Sequence, residues 1–220
     1  MHFLKKTIRG SPFVGVFAVA SEDFFLVPFS IEKKELAGIE EKLGAKVVKA
    51  SLASSPLLGV LSVMLGKMIA LPETVIEEEV AFLERHGMQA KKLEGIHALG
   101  NLIAVNENGG IASPLIGKKT VEGLEKFFGV HFSRMTVAGS NLAGAATTVT
   151  NKGFIVHPNI KQDEFRELEK IFGVRGQPTS ANYGDKFIGN DIVANSKGAL
   201  IGEFTTSYEV LRINEGLSGD

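Results

Sequence analysis

The chain has 220 residues, of which 44% are hydrophobic and 22% charged, a composition that predicts a buried core and argues against disorder. Its 24 Lys and Arg residues are balanced by 25 Asp and Glu residues, and a net charge of -1 argues against nucleic-acid binding through bulk electrostatic attraction. Because there is no cysteine, disulfides, thiolate nucleophiles, zinc–thiolate sites and iron–sulfur clusters are excluded.

The N-terminal segment has two interpretations. Lys5, Lys6 and Arg9 precede an apolar run, residues 12–20, that ends in Ala-Val-Ala, which is the layout of a secretory signal. Alternatively, residues 2–8 are a strand, and residues 12–20 are the first core strand of a repeat. We favour the second interpretation because residues 2–8 match residues 131–137 in register. Residues 57–71 are also apolar but are too short to cross a bilayer, and we interpret them as a hairpin.

Prolines and glycines recur with a period of about 44 residues. Pro28, Pro72, Pro114 and Pro158 are separated by 44, 42 and 44 residues, and Gly202 lies 44 residues further on. A fixed period of this size is typical of a repeat architecture. We call these five residues the anchors of the repeat. The glycines that precede an anchor are Gly66, Gly110, Gly153 and Gly198. Those that follow one are Gly44, Gly87, Gly129, Gly173 and Gly216.

Each unit is predicted to run strand, strand, helix, strand. The first strands are expected at residues 14–19, 58–63, 102–105, 145–149 and 188–193. Turns such as Asn108-Gly109-Gly110 are expected to supply the positive φ of tight hairpins before the second strand. Third strands are expected at residues 45–51, 88–93, 131–137 and 175–181.

One apolar stripe marks each predicted helix, which is therefore expected to cover a sheet on one side and face water on the other. The stripes are Leu36, Ile39, Leu43; Ile76, Val80, Leu83; Val121, Leu124, Phe128; Phe165, Leu168, Phe172; and Val210, Ile213, Leu217. The glycine after each helix suits a left-handed C-terminal cap.

The fifth unit lacks a third strand, and the N-terminal strand is predicted to supply it. This predicts a single α/β domain over residues 1–220, closed into a ring. Its parts are the N-terminal strand 1–11 and the units 12–55, 56–98, 99–141, 142–185 and 186–220.

Motifs for chemistry are absent from the sequence. No phosphate loop, dinucleotide fingerprint, zinc-protease helix or nucleophile elbow occurs, so we predict no catalytic residue, cofactor or metal. Glutamates on the helices, such as Glu35 and Glu79, are interpreted as solvated surfaces. Asp191 is unusual because it lies at a strand start where other units carry apolar residues.

Small residues recur at the starts of the first strands. Gly15, Gly59, Asn101, Ala145 and Gly189 each lie four residues before a valine, and repeat symmetry places them at one end of the ring. Two explanations remain open: close backbone approach at the axis, or a flat face on which another macromolecule docks.

A ring of five such units resembles the pentein fold, an α/β propeller. Its guanidino-modifying branch uses a cysteine nucleophile, which this chain lacks. The other branch is the translation initiation factor 6 family, and the chain resembles it over almost its whole length. The resemblance is carried by Leu99-Gly100-Asn101, by residues 104–106, 132–138 and 151–158, and by Asn190-Asp191 before Val193. Because the chain ends soon after its fifth helix, it resembles archaeal members.

The resemblance implies a non-enzymatic, cytoplasmic and monomeric factor that takes part in large-subunit maturation. Such a factor binds the large ribosomal subunit and blocks its association with the small one. The implied partner is a ribosomal protein near the sarcin–ricin loop, with rRNA nearby and no membrane or small-molecule substrate. The implied ribosome-binding residues are Gly15, Gly59, Val60, Asn101, Asn106, Gly189 and Asn190. We expect Asn101→Ser, Gly15→Arg and Val60→Glu to weaken this binding.

Overall fold

The computed structural model describes residues 1–219 and contains five three-stranded sheets. The strands are β1 (His2–Lys6), β2 (Val19–Ala20), β3 (Phe24–Pro28), β4 (Lys46–Ala50), β5 (Val63–Leu65), β6 (Met68–Pro72), β7 (Gln89–Leu93), β8 (Ile103–Val105), β9 (Gly110–Ala112), β10 (Phe132–Arg134), β11 (Thr147–Val149), β12 (Phe154–Val156), β13 (Gly176–Pro178), β14 (Ile192–Ala194) and β15 (Gly198–Gly202). The helices are α1 (Val14–Phe17), α2 (Lys33–Leu36), α3 (Ile39–Leu43), α4 (Leu58–Leu61), α5 (Glu77–Arg85), α6 (Leu99–Leu102), α7 (Lys118–Phe128), α8 (Gln162–Phe172) and α9 (Ser207–Ser218), with one 3-10 turn at Ile188–Asn190.

Every unit has the same sheet topology. Its first strand pairs antiparallel with the second, and the second pairs parallel with the third. A parallel pair formed by consecutive strands needs a crossover connection, which the helical segment supplies in units one to four. In the fifth unit the third strand is β1, which pairs with β15 from His2↔Gly198 to Lys6↔Gly202. The predicted pentein-type ring, closed by the N-terminal strand, is therefore confirmed.

Three of the five predicted first strands, 14–19, 58–63 and 188–193, are wrong in their first halves. They begin with a single helical turn, in α1, α4 and the 3-10 turn, and only the residues after the turn form a strand. The run 102–105 is correct except for Leu102, which ends α6. Alternation of apolar residues over so few positions does not distinguish a helical turn from a strand.

The helical stripes are confirmed for the most part, since residues such as Leu83, Leu124 and Phe172 are buried. In the first unit the helix is broken at Gly38, whose φ of 78° separates α2 from α3. The predicted cap at Gly216 is wrong, because Gly216 lies within α9 and Gly219 adopts the left-handed conformation with φ 73°.

The prediction of positive φ in the hairpin turns is confirmed at Gly66, whose φ is 54°, but is wrong for three other turns. Gly109, Gly153 and Gly198 do not have positive φ. Instead, side chains such as Asn106 accept backbone hydrogen bonds from the turn. The glycines are needed because a Cβ would meet the backbone of the next unit, for example Lys42 O at 2.6 Å from position 198.

The hydrophobic core forms clusters that are shared between neighbouring units. In one cluster Ala70 and Leu93 of the second unit pack with Leu124 and Phe128 of α7 in the third. Each unit therefore completes its burial with the helix of the next, which stabilises the ring as a whole. Within residues 1–219, no helix is long and apolar enough to cross a lipid bilayer.

Candidate macromolecule-binding face

Five glycines meet on the axis of the ring, and each contacts the backbone of a neighbouring unit. They are Gly15, Gly59, Gly100, Gly144 and Gly189. A Cβ on Gly59, for example, would overlap the carbonyl oxygen of Gly15. Backbone hydrogen bonds join the same segments, as from Gly189 N to Ala145 O at 2.8 Å. The units can approach the axis this closely only because these positions lack a side chain.

Pro114 and Pro158 lie one residue after the positions that correspond structurally to Pro28 and Pro72. In the second unit Val75 N donates to the carbonyl oxygen of Pro72 at 3.1 Å. The corresponding bonds in units three and four go to Ser113 O at 3.0 Å and His157 O at 3.1 Å. Ser113 and His157 are therefore the structural equivalents of the anchors, and the prolines after them are not.

The predicted equivalence of Asn101 and Ala145 with Gly15 is consequently wrong. Gly100 and Gly144 occupy the axial positions, and Asn101 and Ala145 follow them. The true equivalents of Asn101 are the other residues that follow an axial glycine, namely Val16, Val60, Ala145 and Asn190.

The residues around the axial glycines form one uncharged end of the ring. We define this glycine face as Val14–Phe17, Leu58–Leu61, Leu99–Leu102, residues 143–146 and Ile188–Asn190. None of these residues is charged. Phe13 and Leu142, at the edge of the glycine face, remain 40% and 39% exposed. An uncharged face with exposed apolar side chains favours contact with a protein over contact with a phosphate backbone.

Six of the seven predicted site residues lie on the glycine face. Gly15, Gly59 and Gly189 surround the axis, while Val60, Asn101 and Asn190 are half-buried beside them. The backbone of Asn101 is used within the ring, since its carbonyl oxygen accepts from Gly144 N and Ala145 N. Within residues 1–219, no hydrogen bond occupies its side-chain amide, so that group is available to a partner.

Asn106 is not part of the glycine face. Its side chain is 2% exposed and lies at the opposite end of the ring, among the hairpin turns. Nδ2 donates to Thr150 O at 3.1 Å and Phe172 O at 2.9 Å, and Oδ1 accepts from Asn108 N and Gly109 N. Asn106 therefore joins units three and four and has no group left for a partner.

A cavity of about 120 Å³ lies on the axis, lined by residues of all five units. No titratable side chain lines it, so it offers no acid or base for catalysis. Among the described residues, no three His, Cys, Asp or Glu side chains are placed to hold a metal ion.

A protein-family model described as the eIF-6 family matches residues 3–216. The chain belongs to the eIF-6 family. Similar chains named Translation initiation factor 6 include those of Staphylothermus marinus, 33% identical, covering 100% of this chain and 99% of that one, and Methanocaldococcus jannaschii, 34% identical, covering 97% of each. A solved structure of dimethylarginine dimethylaminohydrolase is 14% identical, with a TM-score of 0.47, and covers 94% of this chain and 73% of that one.

In this eIF-6 family chain, glutamates early in the helices hold the turns beside the glycine face. Glu79 accepts from Ser51 Oγ at 2.8 Å, Ala53 N at 2.7 Å and Ser54 N at 3.0 Å, all in the preceding unit. Glu209, Glu35 and Glu164 make similar contacts across three of the other four junctions. The interpretation of Glu35 and Glu79 as solvated is therefore wrong, because each one spans two units.

Glu209 illustrates the electrostatics of these contacts. Burial raises the pKa of its carboxyl, but hydrogen bonds from Thr206, Ser180 and Gly184 outweigh it and leave the pKa below its usual value. The carboxylate is therefore the form that the contact stabilises.

We expect Glu79→Ala to lower the free energy of unfolding by about 2 kcal/mol, because three donors of the preceding turn lose their acceptor. Urea unfolding measures the effect. Glu78→Ala is the matched control, since Glu78 is exposed on the same helix. Equal stability of the two variants would contradict the assignment.

Proposed function

We propose that this eIF-6 family chain is a translation initiation factor that binds the large ribosomal subunit through its glycine face. Bound there, it prevents premature association with the small subunit, and it takes part in large-subunit maturation. Membership of the family and the names of its archaeal relatives support a role in translation initiation. Blocking the joining surface requires only stable occupancy, and no chemical step.

The observation that carries the proposal is the uncharged, partly apolar glycine face around Asn101. A protein partner suits this surface, because apolar side chains and a single amide give affinity and orientation without phosphate contacts. The partner we propose is a ribosomal protein near the sarcin–ricin loop, with rRNA close to the rim. The factor acts as a cytoplasmic monomer without a cofactor, membrane contact or small-molecule substrate.

An enzymatic role is the competing proposal, as the pentein fold also carries guanidino-modifying enzymes. Those enzymes use a cysteine nucleophile, and this sequence contains none. Incubation with arginine and methylated arginines, followed by amino-acid analysis, tests the alternative directly. Turnover at rates ordinary for enzymes would overturn the non-enzymatic proposal.

Co-sedimentation with isolated ribosomal subunits tests the binding proposal. We expect the purified protein to pellet with large subunits and to remain in the supernatant with small subunits. Pelleting with small subunits alone, or with neither subunit, would contradict the proposal.

Asn101→Ser is expected to weaken large-subunit binding roughly five- to a hundred-fold, equivalent to about 1–3 kcal/mol. The amide can both donate and accept hydrogen bonds, and a partner that bonds to it would be left with unpaired groups. The melting temperature should barely change, because no hydrogen bond of the amide is lost within residues 1–219. A melting temperature well below that of the parent would indicate a structural role instead.

Val60→Glu is expected to weaken binding as well, because it places a charge on the half-buried surface next to Asn101.

Gly15→Arg is not a clean test of binding, because any side chain at Gly15 would overlap Gly189 and disrupt the ring. Val16→Glu, one residue along, replaces it as the test of that unit. Glu78→Gln and Glu167→Gln, on the outer helices, are controls that should retain binding. If only the helix variants lost binding, the interface would lie on the outer helices and the glycine-face proposal would be wrong.

A further inference from the structure

The fifth unit and the turn that leads into it depart from the repeat at three places. Asp191 lies where the other units carry Phe17, Leu61, Leu102 and Ala146. Gly202 replaces the proline of the first two units. The turn bridged by Ala181 and Asp185 is one residue longer than its counterparts, such as Ile8 to Ser11.

These three departures meet in one cluster. Asn182, in the longer turn, donates through Nδ2 to Asp191 Oδ1 at 2.5 Å and to Pro12 O at 3.0 Å. A Cβ on Gly202 would overlap both the Asn182 side chain and the carbonyl oxygen of Pro12. Glycine is therefore required at position 202 to make room for the Asn182 amide. We call Pro12, Asn182, Asp191 and Gly202 the seam cluster.

The seam cluster lies where the ring closes. Pro12 follows the N-terminal strand β1 and begins the first unit. Asp191 and Gly202 belong to the last unit, and Asn182 lies in the turn that leads from the fourth unit into it. The Asn182 amide thus bonds both to the start of the ring and to its end. Its Oδ1 also accepts from Thr205 Oγ1 at 3.4 Å.

Asp191 is buried without a cation. Its side chain is 0% exposed, and Oδ2 has no hydrogen-bond partner within residues 1–219. The charged groups that influence it are two carboxylates, Asp185 from the turn and Glu209 from α9. The ammonium of Lys5, on β1, bonds instead to the carbonyl oxygen of Thr205.

This environment disfavours the ionised form of Asp191. Burial raises the pKa of its carboxyl to about 7, with Asp185 and Glu209 adding to the rise and the Asn182 hydrogen bond opposing it. In the unfolded chain an aspartate titrates near pH 4. Between about pH 4 and pH 7 the folded protein therefore holds a proton that the unfolded chain has released.

We propose that the seam cluster is a proton-dependent closure of the ring, which holds the N-terminal segment against the last unit while Asp191 is protonated and loosens when Asp191 ionises. The sign follows from linkage: stability falls as pH rises from about 4 to about 7, and levels off above that range. Because unfolding releases one proton, the unfolding constant rises roughly tenfold for each pH unit in this range.

The test compares the parent with Asp191→Asn in urea unfolding from pH 5 to pH 8. We expect the parent's unfolding constant to rise roughly tenfold per pH unit up to about pH 7, relative to the variant. Subtracting the variant's profile from the parent's removes the contribution of histidines to the pH dependence of stability. One of these is His157, whose pKa is lowered by burial and by nearby Lys186, and whose contribution has the opposite sign. Glu203→Gln is the matched control, because Glu203 is an exposed acid of the same unit, and its profile should match the parent. Parallel profiles for the parent and Asp191→Asn would overturn the proposal.

Two measurements on the parent locate the effect and do not require a folded variant. The carbon-13 carboxyl resonance of Asp191 should titrate with a midpoint near pH 7. Amide exchange, corrected for its intrinsic pH dependence, should accelerate in β1 between pH 5 and pH 7 more than in β3. A carboxyl midpoint below pH 5, or equal acceleration in both strands, would refute a closure that depends on this proton.

Discussion

Gly59→Ala should lower the free energy of unfolding by about 3 kcal/mol, which corresponds to a fall in melting temperature of about 6–12 °C. An alanine Cβ at this position would overlap the carbonyl oxygen of Gly15 and meet Ala18 O at 2.5 Å. Both obstacles are backbone atoms of the neighbouring unit, so neither can move aside as a flexible side chain could. Relief would require the two units to separate at the axis.

Gly123→Ala provides the matched control. Gly123 lies within α7, and a Cβ there would have no heavy atom within 4 Å. Since alanine favours a helix over glycine by about 1 kcal/mol, this variant should be more stable than the parent. Thermal unfolding of both variants separates axial packing from helix propensity. A Gly59→Ala variant as stable as Gly123→Ala would contradict close backbone packing at the axis.

Asn106→Ala should lower the free energy of unfolding by about 2–4 kcal/mol, because it removes four hydrogen bonds from a buried site. The carbonyl oxygen of Thr150 would lose its donor, that of Phe172 would keep only Asn108 Nδ2, and the turn after Asn106 would lose its acceptor. Asn195→Ala should behave alike, since Asn195 bonds to Ser21 O and Leu43 O across the junction of units five and one.

The same measurement on Asn159→Ala serves as a control, because Asn159 is exposed. Its stability should stay within about 0.5 kcal/mol of the parent. If Asn106→Ala were equally harmless, its amide would not be a structural link between units. It would then become a candidate for partner binding, as the sequence alone suggested.

The ring and its closure can be predicted from the sequence because both depend on features that recur with a fixed period. The match of residues 2–8 to residues 131–137 predicted the pairing of β1 with the last sheet. The error in register arose from Pro114 and Pro158, which recur at almost the same spacing although Ser113 and His157 are the equivalent residues. Spacing alone cannot distinguish a residue that makes the equivalent contact from its neighbour.

Contacts between units account for what the sequence did not reveal. The sequence does not distinguish Gly100 from Asn101 as the axial residue, because the need for glycine arises from the backbone of another unit. The structural role of Glu79 cannot be predicted from its helix alone, because it accepts a hydrogen bond from Ser54, 25 residues earlier. Asp191, by contrast, is unusual from its type and position in the sequence alone, whereas its contact with Asn182 depends on the folded structure.

Subunit joining in the presence of increasing amounts of protein tests the central claim most directly. Large and small subunits are mixed at a magnesium concentration that favours association, and the joined fraction is measured by light scattering. We expect the parent and Glu78→Gln to lower the joined fraction as they saturate the large subunit, and Val60→Glu to require a far higher concentration. An undiminished joined fraction at saturating parent protein, or inhibition by folded Val60→Glu equal to that of the parent, would contradict binding through the glycine face.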